Sequence, residues 1–150
     1  MGGTPGISSD DKWVVFREWK TQFYSAIAAD DALISGPGAD SDGDLRTTLM
    51  EYALNTSPVV PGVGNSPDVF FIEEAGARYL AMRFIRQKYA VDLVYHVEVA
   101  DDLSLWQETT VPVGSPVDNG DDTEVVVVRD TRVFPSNQQR FIRLSVNLIE

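Results

Sequence analysis

From about residue 10 the chain places large apolar side chains three and four positions apart. In DDKWVVFREWKTQFYSAIAADD the residues Trp13, Phe16, Trp19, Phe23 and Ile27 form one stripe. An α-helix gathers side chains at those spacings onto a single face, so the pattern predicts an amphipathic first helix. Acidic residues at its start suit the positive end of the helix dipole. Gly36, Pro37 and Gly38 then break helical text, since glycine is too free and proline lacks the needed N–H. A second helix is expected over LRTTLMEYALN, with Leu45, Leu49, Tyr52 and Ala53 on its apolar side and Pro58 and Pro61 closing it.

After the stretch VVPGVGNSPD (59–68) the period of the pattern falls to two. DVFFIEEA and RYLAMRFIRQ flank Gly76 and predict a hairpin, because glycine accepts the positive φ of a tight turn. LVYHVEVADDL alternates, with Tyr95, Val97 and Val99 on one face and His96 and Glu98 on the other. WQETTVPVG, the turn DNGDD, TEVVVVRDT and RFIRLSVNLI follow, the last alternating at Ile142, Leu144, Val146 and Leu148. Short alternating runs separated by turn signals predict an antiparallel sandwich or barrel. The expected fold is therefore α+β. A flexible leader at 1–9 precedes a helix–loop–helix segment at 10–60 and a β-sandwich domain of about six strands at 66–150.

Charge narrows the choice of partners. Aspartate and glutamate number 23 against 12 lysines and arginines, a formal charge of -11, which disfavours phosphate backbones and anionic lipid. No nucleic-acid partner is expected. Nor is membrane insertion, because no apolar run approaches the roughly 18 residues of a spanning helix. Cysteine is absent, which excludes disulfides, thiolate metal sites and cysteine nucleophiles. The opening MGGTPGISSDDK lacks the basic and apolar regions of a signal peptide, which leaves either a cytosolic protein or a piece of a longer exported chain.

The densest chemistry lies in GADSDGDLRTTLMEYALNTSP (38–58). Asp40, Asp42 and Asp44 alternate there, and like charges so close together become favourable when a cation sits among them. A calcium loop takes oxygen ligands from positions 1, 3, 5, 7, 9 and 12, the last a bidentate glutamate. Counted from Asp40, those positions fall on Asp40, Asp42, Asp44, the Arg46 carbonyl, Thr48 and Glu51. Leu45 occupies position 6, where the turn usually needs glycine, and Gly43 at position 4 is not expected to replace it. Weak affinity follows, on the order of 10⁻⁴ to 10⁻³ M, as in extracellular modules. The competing reading is a solvated acidic turn with Asp44 capping the second helix.

DSDGDLRTTLMEYALNTSP resembles the DxDGDGLxNxxEYAxGxxP segment of large secreted or surface proteins of environmental bacteria, related in style to dockerin and thrombospondin type 3 calcium loops. YHVEVADDLSLW (95–106) and RFIRLSVNL (140–148) are similar to that family's YxVEVSxDLxxW and RFxRLxV. The likeness covers residues 13 to 148. It implies a non-catalytic C-terminal module of an exported protein, secreted or at the cell surface, with Asp40, Asp42, Asp44 and Glu51 as calcium ligands. The partners it implies are upstream domains of a longer chain and cell-surface or polysaccharide components. The alternative function is a carbohydrate-binding module.

The remaining candidates carry less. His96 is the single histidine, on the polar face of a strand, with no second histidine for zinc and no Gly-x-Ser-x-Gly elbow for a serine nucleophile. Carboxylates suffice for a glycosidase pair, but a short-looped β module offers little cleft, and no enzyme is expected. Trp106 is expected to plug one end of the core, while Tyr89 could cover an edge or stack on a sugar. Arg86, Arg129, Arg140 and Arg143 are expected to pair with carboxylates such as Asp130 on exposed strand faces, adding little stability each.

Overall fold

The computed structural model describes residues 14–43, 46–61, 66–135 and 138–149. The fold is α+β, with short helices first and antiparallel sheets after. The first apolar stripe does not form one helix. It divides into α1 (Phe16–Lys20), α2 (Ala26–Ala29) and α3 (Ala32–Ser35). After Lys20 the chain turns, with the N–H groups of Phe23 and Tyr24 both donating to the Lys20 carbonyl at 3.0 Å. Ser25 then restarts a helix, its hydroxyl accepting from the Ala28 N–H at 3.2 Å. Such a side-chain cap competes with helix continuation. Phe16, Trp19 and Phe23 therefore stay together, whereas Ile27 is rotated out and is 85% exposed. Trp13 lies outside the described residues. Gly36 ends α3 by close approach: a Cβ there would meet the Ala32 carbonyl oxygen at 2.5 Å.

The second helix, α4 (Thr48–Leu54), begins at Thr47, whose hydroxyl accepts from the Met50 N–H at 3.2 Å. The N-cap is thus Thr47, in place of the Asp44 cap of the competing sequence reading. Asp44 and Leu45 themselves lie outside the described residues. The helix stops at Asn55, which takes the left-handed conformation (φ 56°) and donates its N–H to the Tyr52 carbonyl at 3.2 Å. Asparagine is the best non-glycine residue for that role, so the helix ends before the prolines that sequence pattern had suggested.

The β portion contains β1 (Asp68–Glu74), β2 (Ala77–Gln87), β3 (Leu93–Ala100), β4 (Thr110–Pro112), β5 (Val117–Asp118), β6 (Thr123–Asp130) and β7 (Phe141–Leu148). One sheet runs in the order β1-β2-β6-β4, with β5 also pairing β6; the other joins β3 to β7. Every pairing between these strands is antiparallel. The strand beyond the expected six is the two-residue β5, which arises because the DNGDD turn folds back to pair Val117 with Val125. In the β1–β2 hairpin Glu74 pairs with Ala77, leaving a two-residue turn in which Ala75 and Gly76 both have positive φ (51° and 80°).

Among the described residues two clusters form the interior. In the first, Phe16, Trp19, Tyr52 and Ala53 from the helices pack with Leu93, Tyr95, Val146 and Leu148 of β3 and β7. The Tyr52 ring lies 5.3 Å from that of Phe16 and 5.2 Å from that of Trp19. In the second, Leu54 joins Met82, Phe84 and Val126 of the larger sheet to Val97, Ile142 and Leu144 of the smaller one. Tyr95 belongs to both. Its hydroxyl donates to the Ala53 carbonyl and accepts from the Gln87 N–H at 3.2 Å. The helical segment and the strands consequently share apolar surface, with α4 between them. Among the described residues no helix is long and apolar enough to cross a membrane.

Candidate metal site

The acidic loop is closed before any ion is considered. At its far end Thr48, buried in the first turn of α4, donates its N–H and its hydroxyl to the Ala39 carbonyl at 2.8 and 3.0 Å. Leu49 donates its N–H to the Pro37 carbonyl at 3.2 Å. On the outer side the Ser41 hydroxyl bonds the Tyr24 hydroxyl and donates to the Pro58 carbonyl at 3.3 Å. The turn comes at Gly43, whose φ is +72°, with the Asp40 Oδ1 accepting from the Gly43 N–H at 3.0 Å. The position-4 glycine thus supplies a left-handed turn, while Leu45 at position 6 lies outside the described residues.

These constraints bring Asp40, Asp42 and Glu51 together, each offering one carboxylate oxygen, all within 4.8 Å of one another. Glu51 reaches the loop from the first turn of α4 and is only 1% exposed. Its Oε2 and the Asp42 Oδ2 are buried atoms. At that separation two carboxylates repel by roughly 3 to 4 kcal/mol at an effective dielectric near 20. A shared cation or proton relieves the repulsion. The donors are all hard oxygens, the set that suits calcium or magnesium better than zinc or copper.

Of the other sequence-predicted ligands, Asp44 lies outside the described residues. Thr48 directs its hydroxyl hydrogen at Ala39. The Arg46 guanidinium extends to the Thr56 hydroxyl at 3.2 Å and the Ser66 hydroxyl at 2.7 Å. The residues that sequence reasoning missed are the supporting ones: Ala39, Ser41, Tyr24 and Pro58. Their signal is weak, because the Ala39 and Pro58 carbonyls accept bonds whatever the side chain, and the Tyr24 and Ser41 hydroxyls meet only in the folded chain.

The lesser candidates find places of their own. His96 packs its Nδ1 against Glu108 Oε1 at 2.5 Å and its Nε2 near Asn147 Nδ2 at 3.3 Å. Trp106 is half-buried and belongs to neither cluster. Its ring lies under the Arg143 guanidinium at 4.1 Å, so it is a cation–π partner on a sheet face and does not plug the core. Tyr89 accepts from the Val14 N–H through its carbonyl at 2.6 Å, and the Lys88 ammonium lies 5.4 Å from its ring centre.

The arginine expectation needs a correction at one pair. Arg140 meets Asp130 with two bonds, Nε at 2.6 Å and Nη2 at 3.0 Å, and both side chains are buried, at 5% and 0% exposure. This is an interior ion pair. Arg140 also reaches Asp101 at 3.2 Å, and Arg132 bonds the same carboxylate. Arg86–Glu124, Arg129–Glu74 and Arg143–Glu98 remain nearer the surface.

Comparison with protein-family models, with curated proteins and with solved structures finds no match to this chain.

Proposed function

We propose that this chain is a non-catalytic, calcium-stabilised structural or adhesive module of an exported protein. The observation that carries the reading is the convergence of Asp40, Asp42 and Glu51, with Glu51 buried on α4. In this reading residues 40–51 act as an EF-hand-like loop, Asp44 and the Arg46 carbonyl complete the oxygen shell, and the two sheets form a β-sandwich. The ion ties the loop to α4, and α4 carries Tyr52, Ala53 and Leu54 into both clusters. Calcium thereby fastens the helical segment onto the strands. The secreted or cell-surface setting is what the sequence resemblance implies, and a weak site of the extracellular-module kind suits it.

The test is thermal unfolding in chelator, in calcium and in magnesium. Chelation lowers the melting temperature and millimolar calcium restores it, by about 1.4 kcal/mol at ten times the dissociation constant. Magnesium restores it poorly, since it demands a stricter octahedron and holds its waters. Glu51→Gln abolishes the calcium response without destabilising the ion-free protein, because it removes a ligand and a repelling charge together. Identical melting in calcium and chelator refutes the proposal.

A further inference from the structure

α1, α2, α3, Pro37 and the end of β7 line an open pocket of about 330 Å³. Phe16, Ala29, Pro37 and Leu148 give it apolar walls. Two cationic side chains line it as well, and they differ. Arg17 is already spent on Asp30 in a bidentate pair at 2.9 and 3.0 Å. Lys20 is 7% exposed, and its ammonium donates to the Ser35 carbonyl at 3.1 Å and lies 4.5 Å from the centre of the Phe16 ring. Among the described residues that is its only hydrogen bond. An ammonium carries three donors, and a buried charge is costly until an opposite charge meets it. Burial accordingly pushes the Lys20 pKa below the ordinary lysine value, with Asp30 acting the other way.

We propose that this pocket binds a small carboxylate carrying a short apolar chain, its carboxylate against Lys20 Nζ and its chain against Phe16, Pro37 and Leu148. The size fits, since ligand pockets start at about 300 Å³. Charge selects a monoanion. With Arg17 neutralised by Asp30, one net positive charge faces the pocket, and a phosphate dianion would exceed it in a chain of net charge -11. The site stands apart from the calcium reading and does not depend on it.

The experiment titrates hexanoate and its neutral match hexanamide into the full chain with calcium present, by calorimetry and ligand-observed NMR. Hexanoate saturates a single site, and hexanamide binds at least about tenfold more weakly, the loss expected for a hydrogen bond to a charged group. Lys20→Met removes the preference for the acid. Ala32→Phe, a change at an exposed residue of the rim that leaves Lys20 intact, removes hexanoate binding and keeps the melting temperature. The proposal fails if hexanoate does not saturate at millimolar concentrations, if hexanamide binds as well, or if Lys20→Met still prefers the acid. Should Lys20→Met not fold, Ala32→Phe decides, and unchanged hexanoate binding by that variant overturns the site.

Discussion

Thr48 grips Ala39 twice, donating both its N–H and its hydroxyl to one carbonyl, so residues 39 and 48 are held together as the two ends of the acidic loop. Thr48→Val keeps the shape and the N–H bond and removes the hydroxyl. Without calcium the variant loses about 0.5 to 1.5 kcal/mol, the net worth of one hydrogen bond, in a urea denaturation curve. With calcium the deficit grows, because a looser loop must be ordered by the ion.

The acidic loop was legible because its information is local. Asp40, Asp42 and Glu51 lie within one short stretch, and a fixed spacing predicts their meeting. The strands were legible for a similar reason, since alternation at Val97 and Val99 or at Ile142 and Leu144 follows from the pleat. The first helix misled because the apolar spacing of Phe16, Trp19 and Phe23 survives a turn. Only the hydroxyl of Ser25, free to cap or to point at solvent, decides where α2 begins. Asp130 and Arg140 were illegible as a buried pair, because nothing in either neighbourhood says which of several arginines turns inward.

Asp130 with Arg140 tests the weight of that interior ion pair. Asp130→Ala leaves a buried guanidinium without its main partner and costs about 3 to 5 kcal/mol, in the range for breaking a buried pair. Arg83→Ala removes the exposed bridge to Asp68 and changes the unfolding midpoint little. Chemical denaturation of the two variants side by side checks the contrast.

Tyr52 predicts an alkaline limit. Its hydroxyl donates to Asp92 Oδ1 at 2.6 Å, and Asp92 Oδ2 also accepts the Phe16 N–H at 2.8 Å, so one carboxylate anchors α4 and the start of α1. Burial first, and the Asp92 bond second, hold the Tyr52 pKa above the ordinary tyrosine value of 10.0, and burial does the same for Tyr95. A raised folded-state pKa means that the stabilisation is complete below the unfolded value and is lost as pH climbs toward the folded one. Stability therefore falls above about pH 10. Tyr52→Phe costs about 1.5 to 3 kcal/mol at neutral pH, as for a hydrogen bond to a charged group, and shows a shallower alkaline decline.

Ala75 offers a gain. It holds φ 51° in the β1–β2 turn, a conformation that costs a residue with a Cβ about 1 kcal/mol or more. Ala75→Asn gives the Asn-Gly pair such two-residue turns prefer. The melting temperature rises, with about 0.5 to 1 kcal/mol added to stability. An unchanged or lower value would mean that the turn is not strained.

The most direct test of the account is an amide NMR titration of the metal-free chain with calcium, read residue by residue. The account predicts saturable shifts concentrated between Ala39 and Glu51 and running into α4, with an affinity on the order of 10⁻⁴ to 10⁻³ M, and their loss in Glu51→Gln. Shifts that never saturate, or that spread evenly over the acidic surface of the chain, would contradict it.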